Sequence, residues 1–363
     1  MLNNHLPATL RDVAELAGVS TKTVSRVVNH QTEISEATRQ RVQAAIDQLD
    51  YRPNILARSL IRQRSKTLAV IAWGIDYFGP SRTVLGIEQE ANELGYSLFL
   101  SLVSQPTDDH KQILDTLISL RVEGILWVIP EVGDNRKWVQ TSRLDHLPPI
   151  VFLSMESRPG ITVVSVDNRN GARQAVQHLI KQGRRRIGII TGPLTWWEAR
   201  ERYAGWQEAM QEAGLKASPS LVVKSDDWSA LNGERGLRTL LAQAPDLDAV
   251  FAGNDQIALG AMGTAHQLAR RVPQELAIVG FDNIPEAAFY WPPLTTIYQR
   301  LVDVGRIAVK NLHEMIMARR LQREPIQPVS TTLKPELVIR ASSLELPSHL
   351  ESIQKKEVVR LRF

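Results

Sequence analysis

Five of the eight tryptophans fall just beyond short apolar runs rich in β-forming residues. Trp73 follows TLAVIA, with Asp76 and Tyr77 close behind, and Trp196 and Trp197 follow IITGPLT, with Arg200 opening the next helical stretch. Trp228 follows LVVKSDD, Asn254 and Asp255 follow AVFAG, and Asp282 and Asn283 follow AIVGF, with Trp291 soon after. Indole rings beside Arg, Asp and Asn suit a sugar. The apolar C–H face stacks on the ring, while vicinal hydroxyls pair with a carboxylate or a guanidinium fork. The candidate ligand-binding residues are Trp73, Tyr77, Trp196, Arg200, Trp228, Asn254, Asp282 and Trp291. Trp127 reads as mid-strand core and Trp206 as helix packing, and Trp138 has no assignment.

A second chemistry sits near the N-terminus, in the stretch GVSTKTVSRVVN. The start of its helix presents Thr21 and Lys22 at the positive end of the dipole. Short hydroxyl and amine side chains there reach base edges or hold phosphates. Arg26, one turn later, has the fork that pairs bidentately with guanine. Residues 1–66 carry 10 Lys and Arg against 6 Asp and Glu, and the remaining chain carries 33 of each, so the whole positive excess lies at the N-terminal end. That asymmetry suits a segment that meets a polyanion.

The elements that must position these residues are of two kinds. Residues 8–50 show only helical periodicity. Thr9 and Asp12 have capping-box spacing before LRDVAELA, whose Leu10, Val13, Ala14, Leu16 and Ala17 line one face. Gly18 ends that helix, Ser20 caps the next with Val24, Val27 and Val28 inward, and a third runs from Ser35 with Ala37, Val42, Ala45, Ile46 and Leu49 inward. From Thr67 strands and helices alternate: TLAVIAW, YSLFLSL, GILWVI and PIVFLS, then RIGIITG, SLVVKS, DAVFAGN and LAIVGFDN. Helices are expected near 168–183, 198–214, 230–243 and 255–270. This predicts an α/β core of two lobes, each a doubly wound parallel sheet, with ligand loops converging at the carboxyl ends of the strands.

Composition narrows the functional classes. With 43% hydrophobic and 23% charged residues the chain is an ordinary globular one. It has no cysteine, hence no disulfide or thiolate metal site, and its eight histidines are scattered; neither metal nor cofactor is expected. No dinucleotide, phosphate-loop, metalloprotease or nucleophile-elbow motif occurs, which argues against an enzyme. The first residues lack a basic segment followed by an apolar run, and no stretch is long and apolar enough to span a bilayer, so a secreted or membrane location is not expected.

The run TLRDVAELAGVSTKTVSRVVN, continued by ISEATRQRVQAAIDQLDYRPN and ILARSL, closely resembles the headpiece of the lactose/galactose repressor family. RRIGIITGPL, ERYAGWQEAM, AVFAGNDQIALGAM, LAIVGFDN and PPLTTI resemble that family's effector-binding core. The resemblance implies a helix-turn-helix headpiece over 8–52, a hinge helix and linker over 53–65, a periplasmic-binding-protein-like core over 66–342 and a tail over 343–363. Within the core it implies a first lobe of about 66–166 plus 297–325 and a second of about 167–296 plus 326–342. It implies a cytoplasmic, nucleoid-associated homodimeric repressor of sugar-utilisation genes on a nearly palindromic operator in double-stranded DNA, controlled allosterically by a sugar or glycoside between the lobes. A transport-type solute-binding protein is the alternative, which the headpiece opposes. The implied DNA-contacting set is Thr9, Ser20, Thr21, Lys22, Thr23, Ser25, Arg26, Asn29, Tyr51, Asn54, Ala57 and Leu60, with Ala57 in the minor groove and Leu60 as the lever that unstacks the central step. In the core, Arg200 matches the family's effector-clamping arginine, Asn254 the asparagine of AGNDQ, Asp282 the aspartate of GFDN and Trp228 the tryptophan of DWSA. Ser154 and Trp73 depart from the lactose-type members, which have an aspartate and a small serine there, so a lactose-type ligand does not follow. The tail shows no leucine heptads of the kind that make tetramers.

Overall fold

A computed structural model describes residues 8–28, 33–52, 64–106, 110–141 and 144–344. The chain divides into two units, 1–66 and 67–363, each with its own core. Asn29, Asn54, Ala57, Leu60 and nearly all of the expected hinge lie outside the described residues.

The first unit holds α1 (Leu10–Ala17), α2 (Thr21–Val28) and α3 (Glu36–Gln48). Thr9 and Asp12 form a reciprocal cap on α1, with the Thr9 amide donating to Asp12 Oδ2 at 2.8 Å and the Asp12 amide to Thr9 Oγ1 at 3.3 Å. Gly18, in the left-handed region at φ 63°, ends α1, and Ser20 Oγ accepts from the Thr23 amide at 3.1 Å to start α2. Val13, Ala14, Ala17, Val24, Val27, Val42, Ala45 and Tyr51 form the core. Two expected inward residues, Leu16 and Ala37, are exposed instead. The eight-residue α1 buries a narrow stripe that Val13, Ala14 and Ala17 already fill, and Ala37 lies in the first turn of α3, ahead of its buried Val42 and Ala45.

The second unit opens with β1 (Thr67–Ala72), α4 (Phe78–Glu93), β2 (Ser97–Leu102), α5 (His110–Ser119), β3 (Gly124–Val128), α6 (Lys137–Thr141), β4 (Ile150–Leu153) and β5 (Thr162–Val166). It continues with α7 (Asn168–Lys181), β6 (Ile187–Ile190), α8 (Trp197–Glu212), β7 (Val222–Val223), α9 (Ala230–Gln243), β8 (Ala249–Ala252), α10 (Asp255–Gln267) and β9 (Ala277–Val279). Last come β10 (Thr296–Tyr298), α11 (Leu301–Arg320), β11 (Ser330–Leu333) and β12 (Glu336–Val338). One parallel sheet runs β11-β5-β4-β3-β1-β2 and the other β7-β6-β8-β9, while β10 and β12 pair antiparallel beside β9.

Strand alternation assigns the two faces of the larger sheet. Leu68, Val70, Leu126 and Val151 face α4 and α11; Ala69, Ile71, Ile125, Trp127 and Phe152 face α5 and α6. Trp127 and Trp206 are core residues, as expected, and Trp138 packs on Trp127 with ring centroids 4.9 Å apart.

Two boundary expectations need correction. β11 adds to the edge of the first lobe's sheet by pairing with β5, so 326–342 is not wholly second lobe. Ser343 is 1% exposed and its hydroxyl meets His178 and Thr295, so the core extends past 342.

Candidate functional site

In the headpiece, α2 leaves Thr21 and Lys22 exposed at its start and Arg26 half-buried one turn on. Arg26 makes no ion pair among the described residues. Ser20 and Thr23 are less free, since their hydroxyls bond each other at 2.9 Å while Ser20 caps the helix. Thr9 is likewise engaged, its hydroxyl donating to Asp12 Oδ2 at 2.9 Å. Ser25 is half-buried. The Tyr51 ring belongs to the headpiece core at 8% exposed.

In the core, the segments after β1, β4, β5, β6, β7, β8, β9 and β10 and the start of α4 enclose one cavity between the lobes. It is lined by Tyr77, Trp196, Trp228, Asn254 and Asp282 from the expected set, together with Ser154, Asn168, Glu198, Arg202, Gln256 and Gln299. Its wall is a row of rings drawn from both lobes. Trp196 lies 5.7 Å from Tyr77 and 5.7 Å from Trp228, nearly perpendicular to each, and 5.4 Å from Trp73. Gly192 is what lets Trp228 in, since a Cβ there would stand 2.2 Å from the indole.

The polar floor is built around Arg202. Its Nε donates to Asn168 Oδ1 at 2.8 Å, its Nη1 donates to the Gly253 carbonyl at 2.7 Å, and the same nitrogen lies 3.5 Å from Asp282. The guanidinium stacks 3.8 Å over the Phe281 ring and lies 5.3 Å from the Trp228 ring. Asp282 sits at φ 115°, an unusual conformation for a side chain this size, held by its amide's bond to the Ile297 carbonyl and by Gln299, which donates to its carboxylate. Burial pushes Asp282 up to about 6, against the opposing pull of Arg202. Behind it, Asp255 is fully buried and pushed up to about 8 by burial and then by the Asp282 charge, while accepting from the Ile284 amide at 2.9 Å. Asn254 Oδ1 caps α10 through the Ile257 amide at 2.8 Å, and its Nδ2 donates to the Trp228 carbonyl.

Two polar atoms at this cavity have no hydrogen-bond partner among the described residues: Trp228 Nε1 and Glu198 Oε2. Burial pushes Glu198 up to about 7, while Arg202, the Ser154 hydroxyl and Arg136 pull it the other way. A backbone bridge links the lobes beside it: the Gly133 amide donates to the Thr195 carbonyl at 2.8 Å and the Trp197 amide to the Glu131 carbonyl at 2.9 Å.

Three expected ligand residues do not line this cavity. Arg200 donates to the Thr195 carbonyl at 2.9 Å and lies 3.9 Å from Glu131, so it staples its own loop. On a helix, residues two apart face different ways, and Arg202 takes the cavity side. Trp73 ends the aromatic row from outside, its indole N–H donating to the Ser104 carbonyl. Trp291 is 90% exposed because Ala287 and Tyr290 take the inward positions of its turn. The residues missed are Arg202, Glu198, Asn168, Gln256 and Gln299. Arg202 was readable as the one charge on the buried stripe Ala199, Gly205, Trp206 and Ala209.

The model of bacterial regulatory proteins of the lacI family matches residues 9–54, and that of the periplasmic binding protein-like domain matches 176–343. The ribose operon repressor of Escherichia coli strain K12 is 36% identical over 93% of this chain and 100% of its own length. The HTH-type transcriptional repressor PurR of Pasteurella multocida strain Pm70 is 36% identical over 92% of this chain and 98% of its own. Among solved structures, the Lac repressor dimer bound to operator and the anti-inducer ONPF superposes with TM-score 0.84 at 31% identity, covering 94% of this chain and 100% of the other. A complex of the transcriptional regulator CelR with cellobiose superposes with TM-score 0.68 at 32% identity, covering 92% and 99%. A three-helix headpiece, two parallel-sheet lobes around a ring-walled cavity and full-length kinship with repressors agree: the chain belongs to the lacI family of bacterial regulatory proteins.

Proposed function

We propose that the protein is a cytoplasmic, nucleoid-associated, homodimeric repressor of sugar-utilisation genes, whose operator affinity is set by a sugar or glycoside held between the core lobes. The observation that carries this reading is the cavity itself. Arg202, Asp282 and Asn254 form a polar floor, and Tyr77, Trp196 and Trp228 an aromatic wall. That division matches a pyranose, whose hydroxyl edge and C–H face need different partners. The wall joins both lobes, so a ligand there bears on their relative position, and coupling between such sites is typically about 1–3 kcal/mol. On the DNA side, Thr21, Lys22 and Arg26 are read as groove contacts. Two headpieces on a pseudo-palindrome supply the phosphate contacts that one lacks. The Lac repressor relative is a dimer on operator, and CelR holds cellobiose; both support the reading by kinship.

Calorimetric titration of the full chain against a sugar panel, paired with binding to a selected palindromic duplex, tests it. At least one sugar should bind and change duplex affinity by about five- to 150-fold. Binding without any change in duplex affinity would sink the allosteric half, and no selectable duplex would sink the DNA half.

A further inference from the structure

The cavity is more acidic than a neutral sugar requires. Among its lining residues, Glu198 and Asp282 are acids and Arg202 the one base. Arg202 is committed to Asp282 at 3.5 Å, to Asn168 and to the Gly253 carbonyl. Glu198 therefore has no lining base to itself, its lining partner being the neutral Ser154 hydroxyl. Its Oε2 accepts from nothing among the described residues, although it is shielded from solvent. Arg136, the other cation acting on Glu198, is 1% exposed, does not line the cavity and donates Nη2 to the Ile129 carbonyl. Together with Arg202 it opposes the effect of burial on Glu198.

The neighbours of Glu198 complete a recognisable chemistry. Tyr77, Trp196 and Trp228 line the same cavity, two of them nearly perpendicular to the third. Aromatic rings beside a carboxylate attract an ammonium group through the ring quadrupole and the charge together. The second orphan atom, Trp228 Nε1, is a donor and asks for a hydroxyl or ring oxygen. A ligand matched to these lining residues carries an amine and a neighbouring oxygen on one apolar-faced ring.

We propose that Glu198 makes the cavity select an amino sugar over the corresponding neutral sugar and sugar phosphate. The inference rests on the cavity being the effector site. A phosphate would meet Glu198 and Asp282 across a space whose single arginine is already paired.

The test is titration of the full chain with glucosamine and galactosamine, with glucose and galactose, and with the 6-phosphates of both. One amino sugar should bind about tenfold or more tighter than its neutral parent, the scale of a charge-assisted hydrogen bond, and no phosphate should exceed its parent. In Glu198→Gln, with its melting temperature checked, the preference should shrink to within about threefold. If that variant folds poorly, the wild-type panel alone still overturns the proposal when no amine preference appears. Neutral sugars binding as well as amino sugars, with Arg202→Lys weakening all alike, overturns the role of Glu198 and leaves the effector site standing. Preference for a phosphate, or an amine preference that survives Glu198→Gln, overturns it too. If no sugar of any charge binds or alters duplex affinity, the effector reading falls with it.

Discussion

Arg26 and Arg202 show how much of a residue's work is set by what already holds it. Arg26 makes no ion pair among the described residues, so its fork is open to a base there; Arg202 has Nε and Nη1 engaged by Asn168, Gly253 and Asp282, which leaves Nη2 as the part of the fork to present to a ligand. Replacing Arg26 by Ala should therefore weaken operator binding by about 1–3 kcal/mol and relax specificity at one base pair. Gel-shift titration across single-base operator variants reads this; an equal loss on every variant marks a phosphate contact instead. The same contrast explains what could be read in advance. Trp196, Trp228, Asn254 and Asp282 follow strand ends, and strand ends are visible in the chain. Choosing between Arg200 and Arg202 requires the phase of α8, and only Arg202 falls in line with Ala199, Trp206 and Ala209. Glu198 was hidden for another reason: its environment comes from Ser154 and Arg136 in the other lobe, far away in the chain.

At the scale of elements, the loop between β6 and α8 carries the densest set of constraints. It holds Gly192 under the Trp228 indole, Trp196 in the aromatic row, and the amide of Trp197 bonded across to Glu131. Gly192→Ala should cost about 1–3 kcal/mol through overpacking, because the ring cannot stay where it is. Denaturant unfolding followed by tryptophan emission measures both the loss and the ring's displacement. Loss of stability with an unchanged emission spectrum would place the strain elsewhere. The alternating pattern revealed the repeated strand–helix units, since buried parallel strands are continuous apolar runs. It did not reveal β11, whose Ser-Thr-Thr-Leu sits at a sheet edge, nor β10, three residues long and recognisable only through its partners β12 and β9. α11 carries a plain helical stripe of Val304, Ala308, Leu312 and Ile316 and was the missed element most open to reading.

At the scale of the molecule, the headpiece and the core are separate units with separate cores. Their activities should separate as well. A fragment beginning at Thr67 should bind the effector with the affinity of the whole chain and retain no operator binding, as titration and gel shift on the same preparation can establish. Effector affinity that disappears with the headpiece would mean that the cavity depends on it. Within the core, the chain crosses between the lobes after β5, after β10 and after β11. The strands that flank the crossings are neighbours within each lobe, β11 beside β5 in the first and β12 beside β10 in the second. One span would be a tether on which the lobes could drift, but three side by side behave like the leaves of a door hinge. They resist sliding and separation and leave a swing about a single line as the soft motion. What the cavity holds is thereby converted into one number, the opening angle, and every residue in those three spans has a share in calibrating it.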